Sequence, residues 1–206
     1  ITSLENIKDL MFLLLCGCGV GYSVQKHHIS QIGKFFKHTT DLEETYVIED
    51  SIQGWSDAIY KVLLSYQKGG NKVNFDYSLI RPAGSELKVS GGKAPGPEPL
   101  RNAIQETERL INKAISKKPC VTPLLIHDIV CVIANAVMVG GGRRAALISL
   151  FSIDDEEMLT CKNGNFWETN PQRSRANNSV VIDRNNMQLE IVDRIMDITL
   201  NEGYGE

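Results

Sequence analysis

The sequence lacks the patterns that are typical of disulfide-rich, zinc-binding, membrane-spanning and nucleic-acid-binding proteins. Its five cysteines are odd in number and too sparse for a disulfide scaffold in 206 residues, so a reduced, cytoplasmic setting fits best. No cysteine pair has the spacing of a zinc site, and we expect no metal. The longest apolar stretch, LMFLLLCGCGVGY, is too short to span a bilayer. With a net charge of -3 there is no basic excess to attract nucleic acid.

The chain also lacks an initiator methionine. It begins at Ile1, in what already has the pattern of a helix, and it ends in NEGYGE without a capping residue. We therefore expect residues 1–206 to be part of a longer protein that is truncated at both ends.

Helical and strand patterns alternate along the chain. The spacing of apolar residues and caps predicts helices at 4–15, from Ser51 to Gly69, at about 100–118, from Pro123 onward, after a cap at Asp154, and at about 187–199. Strands are predicted at 19–24, 73–80, 145–151 and 179–183, and a loop with fragments of strand over 25–50. This alternation is typical of an α/β sheet or barrel.

The stretch VGGGRRAALISL places the most flexible residues beside the most anion-seeking ones. Gly140, Gly141 and Gly142 directly precede Arg143 and Arg144. Glycine permits unusual backbone conformations, and the guanidinium fork matches phosphate. The pattern fits either a mobile anion-binding loop or a glycine-rich turn with two solvated arginines. It is not a Walker loop, because the G-x-x-x-x-G-K-[ST] spacing is absent.

The segment RPAGSELKVSGGKAPGPEP, residues 81–99, is a long loop by its composition. Prolines stiffen parts of it, while Gly91 and Gly92 leave one part loose. It carries three cations, Arg81, Lys88 and Lys93. Loops of this length are often functional, although a surface connector is the alternative.

Two further stretches have open interpretations. In LCGCGVGYSV the glycines allow close backbone approach, and Cys16 and Cys18 are predicted to be small packing residues rather than a redox pair. In NPQRSRANNSVV the neighbouring Asn177 and Asn178 could bind a sugar or phosphate, or could satisfy loop backbone. His127, in the apolar third helix, is predicted to be a structural histidine with satisfied hydrogen bonds.

In this order, the segments GCGVGYSV, EDSIQGW, IRPAGSELKVSGGKAPGPEPL, GGGRRAALISLF and NPQRSRANNSVV resemble the catalytic chain of ribonucleotide reductases. The resemblance is greatest to the adenosylcobalamin-dependent (class II) ribonucleoside-triphosphate reductases. It implies that residues 1–206 are a partial catalytic domain, within the ten-stranded α/β barrel of that family. It also implies thiyl-radical reduction of a ribonucleotide to a deoxyribonucleotide for DNA synthesis, with adenosylcobalamin as cofactor and a thioredoxin-type reductant.

The same resemblance assigns roles to the loops. The loop from Arg81, with Lys88, Gly91, Gly92 and Lys93, matches the first specificity loop, where a deoxynucleotide effector binds. Residues Gly140–Arg144 match the second specificity loop, between effector and substrate base. The turn Gly17, Cys18, Gly19 matches the turn against the substrate, and Asn177 and Asn178 are the further substrate-binding candidates.

The resemblance supplies no catalytic residue. The radical cysteine segment of the family, N-x-C-x-E, is absent, and none of the five cysteines has that context. We expect this chain alone to be inactive. Two alternatives remain: the large chain of an iron-dependent ribonucleoside-diphosphate reductase, and a non-catalytic nucleotide-binding module.

Overall fold

The computed structural model describes residues 1–39, 43–87, 92–117, 120–138, 146–187 and 189–202. The α-helices are α1 (Leu4–Leu15), α2 (Lys26–Ile29), α3 (Ile52–Lys68), α4 (Glu98–Lys117), α5 (Pro123–Met138), α6 (Glu156–Leu159), α7 (Phe166–Thr169) and α8 (Leu189–Glu202). The strands are β1 (Val20–Ser23), β2 (Glu43–Val47), β3 (Lys72–Asp76), β4 (Leu147–Ser152) and β5 (Ala176–Val181). Two 3₁₀ turns lie at Pro171–Arg175 and Arg184–Asn186.

All strand pairs among the described residues are parallel. One sheet has the order β1-β4-β5, with Val20 opposite Leu147 and Ile148 opposite Asn177. A second sheet pairs β2 with β3. Parallel strands require crossover connections, which the helices provide. The predicted α/β fold is therefore confirmed.

Helix α5 lies at the centre of the core. It is buried on nearly all sides, as its continuous apolar sequence predicts, and it packs against α1, α4 and the 3₁₀ turn before β5. Helix α3 buries the predicted face that includes Trp55, Ile59 and Tyr66, and packs on α1. No helix in the described part of the chain has both the length and the apolar character needed to cross a membrane.

Several local predictions require correction. The cap before α6 is Asp155, whose carboxylate accepts from the Met158 amide, and not Asp154, which pairs with Lys26 on the surface. Cys16 and Cys18 are exposed in a turn, so the expectation that they pack inside is wrong. The span 25–50 is predicted as a loop with fragments of strand, and the structure places strand β2 there, stabilised by pairing with the distant β3, together with the short helix α2, which the sequence pattern does not predict.

Candidate functional site

The start of α3 builds one wall of a cleft. The Ser51 hydroxyl accepts a hydrogen bond from the Gly54 amide at 2.9 Å and caps the helix. Asp50 stands immediately before this cap, and its carboxylate accepts from Arg81 Nε at 2.6 Å. The N-terminus of α3, the Asp50 carboxylate and the Arg81 guanidinium thus lie side by side, a combination suited to a phosphorylated sugar.

The opposite wall of the cleft comes from the loop that starts at Arg81. Its two arms fold back on each other. The Ala94 amide donates to the Ser85 carbonyl at 2.7 Å, and the backbones of Glu86 and Lys93 form an isolated antiparallel β-bridge. Gly96 has a φ of 74°, and a side chain there would collide with the Ala83 backbone. The predicted site residues Arg81, Gly92 and Lys93 belong to this folded loop, whereas Lys88 and Gly91 lie outside the described residues.

The last turn of α5 closes the cleft. Ala136 and Val137 face Pro95 and Gly96 across it, and Trp55 lines it from α3. The cleft is mainly apolar and open at its mouth. Since α5 ends at Met138, the cleft wall leads directly into residues 139–145. The predicted site residues Gly140–Arg144 fall in that segment, outside the described residues.

The glycine turn after α1 lies beside the cleft. Leu15, at the end of α1, lines the cleft, and Gly17 reverses the chain with a φ of 84°. The Val20 amide then donates to the Ala146 carbonyl at 2.8 Å, so β1 starts next to the residue that follows segment 139–145. Of the predicted substrate turn, Cys18 and Gly19 are both exposed.

The two candidate asparagines lie on opposite faces of β5. Asn177 is exposed, whereas Asn178 is buried, with 2% of its surface exposed, and donates from Nδ2 to the Cys161 sulfur at 3.3 Å. The structure therefore does not bring the pair onto one surface. Only Asn177 presents its side chain to solvent, on the strand next to β4.

A buried polar cluster ties α5 to the sheet. The hydroxyls of Tyr22 on β1 and Ser149 on β4 lie 3.0 and 3.2 Å from His127 Nδ1. Cys131 Sγ lies 3.7 Å from Nε2. Burial lowers the pKa of His127 to about 4, so the ring is neutral at pH 7. The prediction of a satisfied structural histidine is confirmed.

A buried ion pair fixes the segment before β5. Arg173 donates from Nε and Nη2 to the two Asp128 carboxylate oxygens, both at 2.7 Å, and from Nη1 to the Cys161 carbonyl. Only 11% and 8% of the two side chains is exposed. Arg173, which lies in the segment NPQRSRANNSVV, is thus a structural residue.

Sequence reasoning missed three residues of the cleft: Asp50, Ser51 and Trp55. Their signals were present, since an acidic residue precedes a helix cap and an aromatic side chain follows one turn later. What the sequence cannot supply is the pairing of Asp50 with Arg81, thirty-one positions away. The described residues contain no group of three or more metal-ligating side chains.

Known proteins resemble this chain in sequence and fold, although no protein-family model matches it. A probable adenosylcobalamin-dependent ribonucleoside-triphosphate reductase of Dictyostelium discoideum is 34% identical over 139 residues, covering 66% of this chain and 18% of the relative. The reductase of the same name from Euglena gracilis is 32% identical over 186 residues, covering 85% of this chain and 24% of the relative. A crystal structure of a B12-dependent (class II) ribonucleotide reductase superposes with a TM-score of 0.76 and 26% identity, over 87% of this chain and 29% of that one.

The α/β fold is thus that of a ribonucleotide reductase. The chain belongs to the adenosylcobalamin-dependent ribonucleoside-triphosphate reductases. It spans less than a third of the length of each of these relatives.

Proposed function

We propose that this chain is the effector-sensing and substrate-facing part of a class II ribonucleoside-triphosphate reductase. The complete protein would replace the ribose 2′-hydroxyl of a ribonucleotide by hydrogen, releasing water while a cysteine pair is oxidised to a disulfide. A thioredoxin-type donor would reduce that pair again. No cysteine of this chain is assigned to either step, and a cytoplasmic location is part of the proposal.

The cofactor would be adenosylcobalamin, which supplies the radical in the relatives' type of enzyme. The described residues contain no group of histidines, cysteines or carboxylates that converges on a metal site. We assign no described residue to the cofactor, and no step is derived through it.

One observation carries the proposal: the cleft is lined by the first predicted specificity segment and by the end of the helix that leads into the second. Arg81, Pro95 and Gly96 come from the first, and Ala136 and Val137 come from the helix that leads into the second. A deoxynucleotide in the cleft would pair its phosphates with Arg81, offer a sugar hydroxyl to Asp50, and lay apolar surface on Trp55. Any change in its base then acts directly on the end of α5.

Fluorescence of Trp55 tests this assignment. The sequence has two tryptophans, and Trp167→Phe leaves Trp55 as the single reporter. We expect saturable quenching by at least one of the four deoxynucleoside triphosphates, with weaker response to its ribonucleotide. Arg81→Ala should raise the dissociation constant about tenfold or more, because a charge-assisted contact is lost.

Exposed Lys34, away from the cleft, provides the matched control: Lys34→Ala should leave the dissociation constant unchanged. Equal quenching by all nucleotides that disappears steeply with salt would instead favour nonspecific anion binding. The alternative of an iron-dependent diphosphate reductase has less support, since the relatives compared here are adenosylcobalamin-dependent triphosphate enzymes.

A further inference from the structure

Arg175 joins the end of α5 to the start of β5, two parts of the molecule that the chain itself connects through residues 139–174. Its Nε donates to Asn135 Oδ1 at 2.9 Å, and its Nη1 lies 3.7 Å from Met138 Sδ. These two partners flank Ala136 and Val137, which line the cleft. Arg175 therefore contacts the turn of α5 that forms a wall of the proposed effector site.

The backbone of Arg175 leads straight into the substrate side of the sheet. It is the last residue of the 3₁₀ turn before β5, and exposed Asn177 follows two positions later. A single side chain thus connects the cleft wall to the first residues of β5. The guanidinium is planar and rigid, so a shift of its α5 partners is transmitted to its own backbone.

The neighbouring Arg173 already holds this turn against α5. Its bidentate pair with Asp128 is buried and anchors the turn to the middle of α5. Arg175 is only half-buried, its partner Asn135 is exposed, and it has no carboxylate ion pair with any described residue. Its removal leaves the core packing and the Arg173 anchor in place.

We propose that Arg175 is a positioning residue that couples the effector cleft to the substrate side of the sheet, independently of segment 139–145. The inference rests on the proposed function. An effector that presses on Ala136 and Val137 moves the last turn of α5, and Asn135 and Met138 carry Arg175 and the start of β5 with them. The coupling acts on substrate selection and not on the chemical step.

The test uses the complete reductase that contains this chain. For wild type and Arg175→Ala, kcat/KM is measured for each ribonucleotide with and without its effector. We expect the effector-free values to stay within about twofold, while effector stimulation falls at least about fivefold, the lower end of typical allosteric coupling. Arg175→Lys, which keeps one donor for Asn135, should retain part of the stimulation.

Two further variants separate coupling from stability. Asn135→Ala should reproduce the loss, and the double variant should lose no more than either single one, because both remove the same link. Arg184→Ala, an exposed arginine beyond the other end of β5, should have no effect on stimulation.

Unchanged stimulation in Arg175→Ala would overturn the inference. So would an equal fall of all rates, with and without effector, together with a lower melting temperature, since that is a structural role. If this chain binds no effector in the Trp55 assay and the wild-type reductase shows no stimulation, the proposed function itself fails. Effector binding with normal stimulation in every Arg175 variant removes only the inference.

Discussion

At the scale of single residues, the buried Arg173–Asp128 pair predicts that one substitution lowers the free energy of unfolding strongly. Asp128→Ala leaves a guanidinium in the core with its charge uncompensated, and we expect unfolding to become easier by about 3–5 kcal/mol in urea titrations. Glu106→Ala breaks the exposed pair with Arg109 and should change stability by less than about 1 kcal/mol. Similar losses in the two variants would contradict the burial of Asp128.

His127 makes stability depend on pH in a defined window. Its pKa falls from 6.5 to about 4 on folding because burial disfavours the charged ring. Between these values the unfolded chain binds a proton that the folded chain does not, so stability declines as the pH drops from about 6.5 to 4. The decline attributable to this group is on the order of 3 kcal/mol.

The His127→Gln variant isolates that contribution. Urea unfolding of both proteins is measured between pH 7.5 and 4, where surface carboxylates contribute equally and cancel in the difference. We expect the stability advantage of the wild type to shrink as the pH falls. A pH-independent difference would mean that the imidazole titrates normally in the folded protein.

At the scale of elements, Gly54 shows how packing overrides helix propensity. It lies in the first turn of α3, where alanine would ordinarily favour the helix by about 1 kcal/mol. A Cβ there would overlap the Glu49 carbonyl. We expect Gly54→Ala to lower stability by about 1–3 kcal/mol in thermal or urea unfolding. Gly70→Ala, where a Cβ meets nothing, is the control and should be neutral or stabilising.

The elements that the sequence predicted well are those with strong local signals. Helix α3 begins at its Ser51 cap and ends at Gly69, whose φ is 62°, as the sequence pattern predicts. The bounds of strand β2 could not be placed within the strand fragments predicted over 25–50, because its stability comes from pairing with β3, which no local pattern reveals. The turn at Cys16 and Cys18 was misread because two small residues beside glycine fit a strand interior as well as an exposed reversal.

At the scale of the whole molecule, the cleft exists only because distant segments converge. Arg81 and the glycine-rich segments were predictable from composition, but the contribution of Ala136 and Val137 was not. Small apolar residues at a helix end carry no chemical signal. The site was therefore foreseen as a set of loops, and only the fold shows which of them share a wall.

Ligand linkage provides a prediction at this scale. A deoxynucleotide that binds the folded cleft and not the unfolded chain should raise the unfolding free energy by about 2.7 kcal/mol at a concentration 100 times its dissociation constant. The measurement is a thermal or urea unfolding curve with and without the nucleotide. Arg81→Ala, with a dissociation constant about tenfold higher, should lose about half of the increase at the same concentration, whereas an undiminished shift in that variant would place the ligand elsewhere.

The parallel pairing of β1 with β4 also determines when this protein can fold during synthesis. Val20 pairs with Leu147, so the ribosome must make all the residues between them before the central sheet can begin to close. Helix α1 can pack on α3 before then, but β1 stays without a partner strand until β4 is made. Such late, long-range closure is slow and leaves nascent chains prone to aggregation. The yield of this protein in cells should therefore depend on chaperone supply and translation rate more than on its final stability.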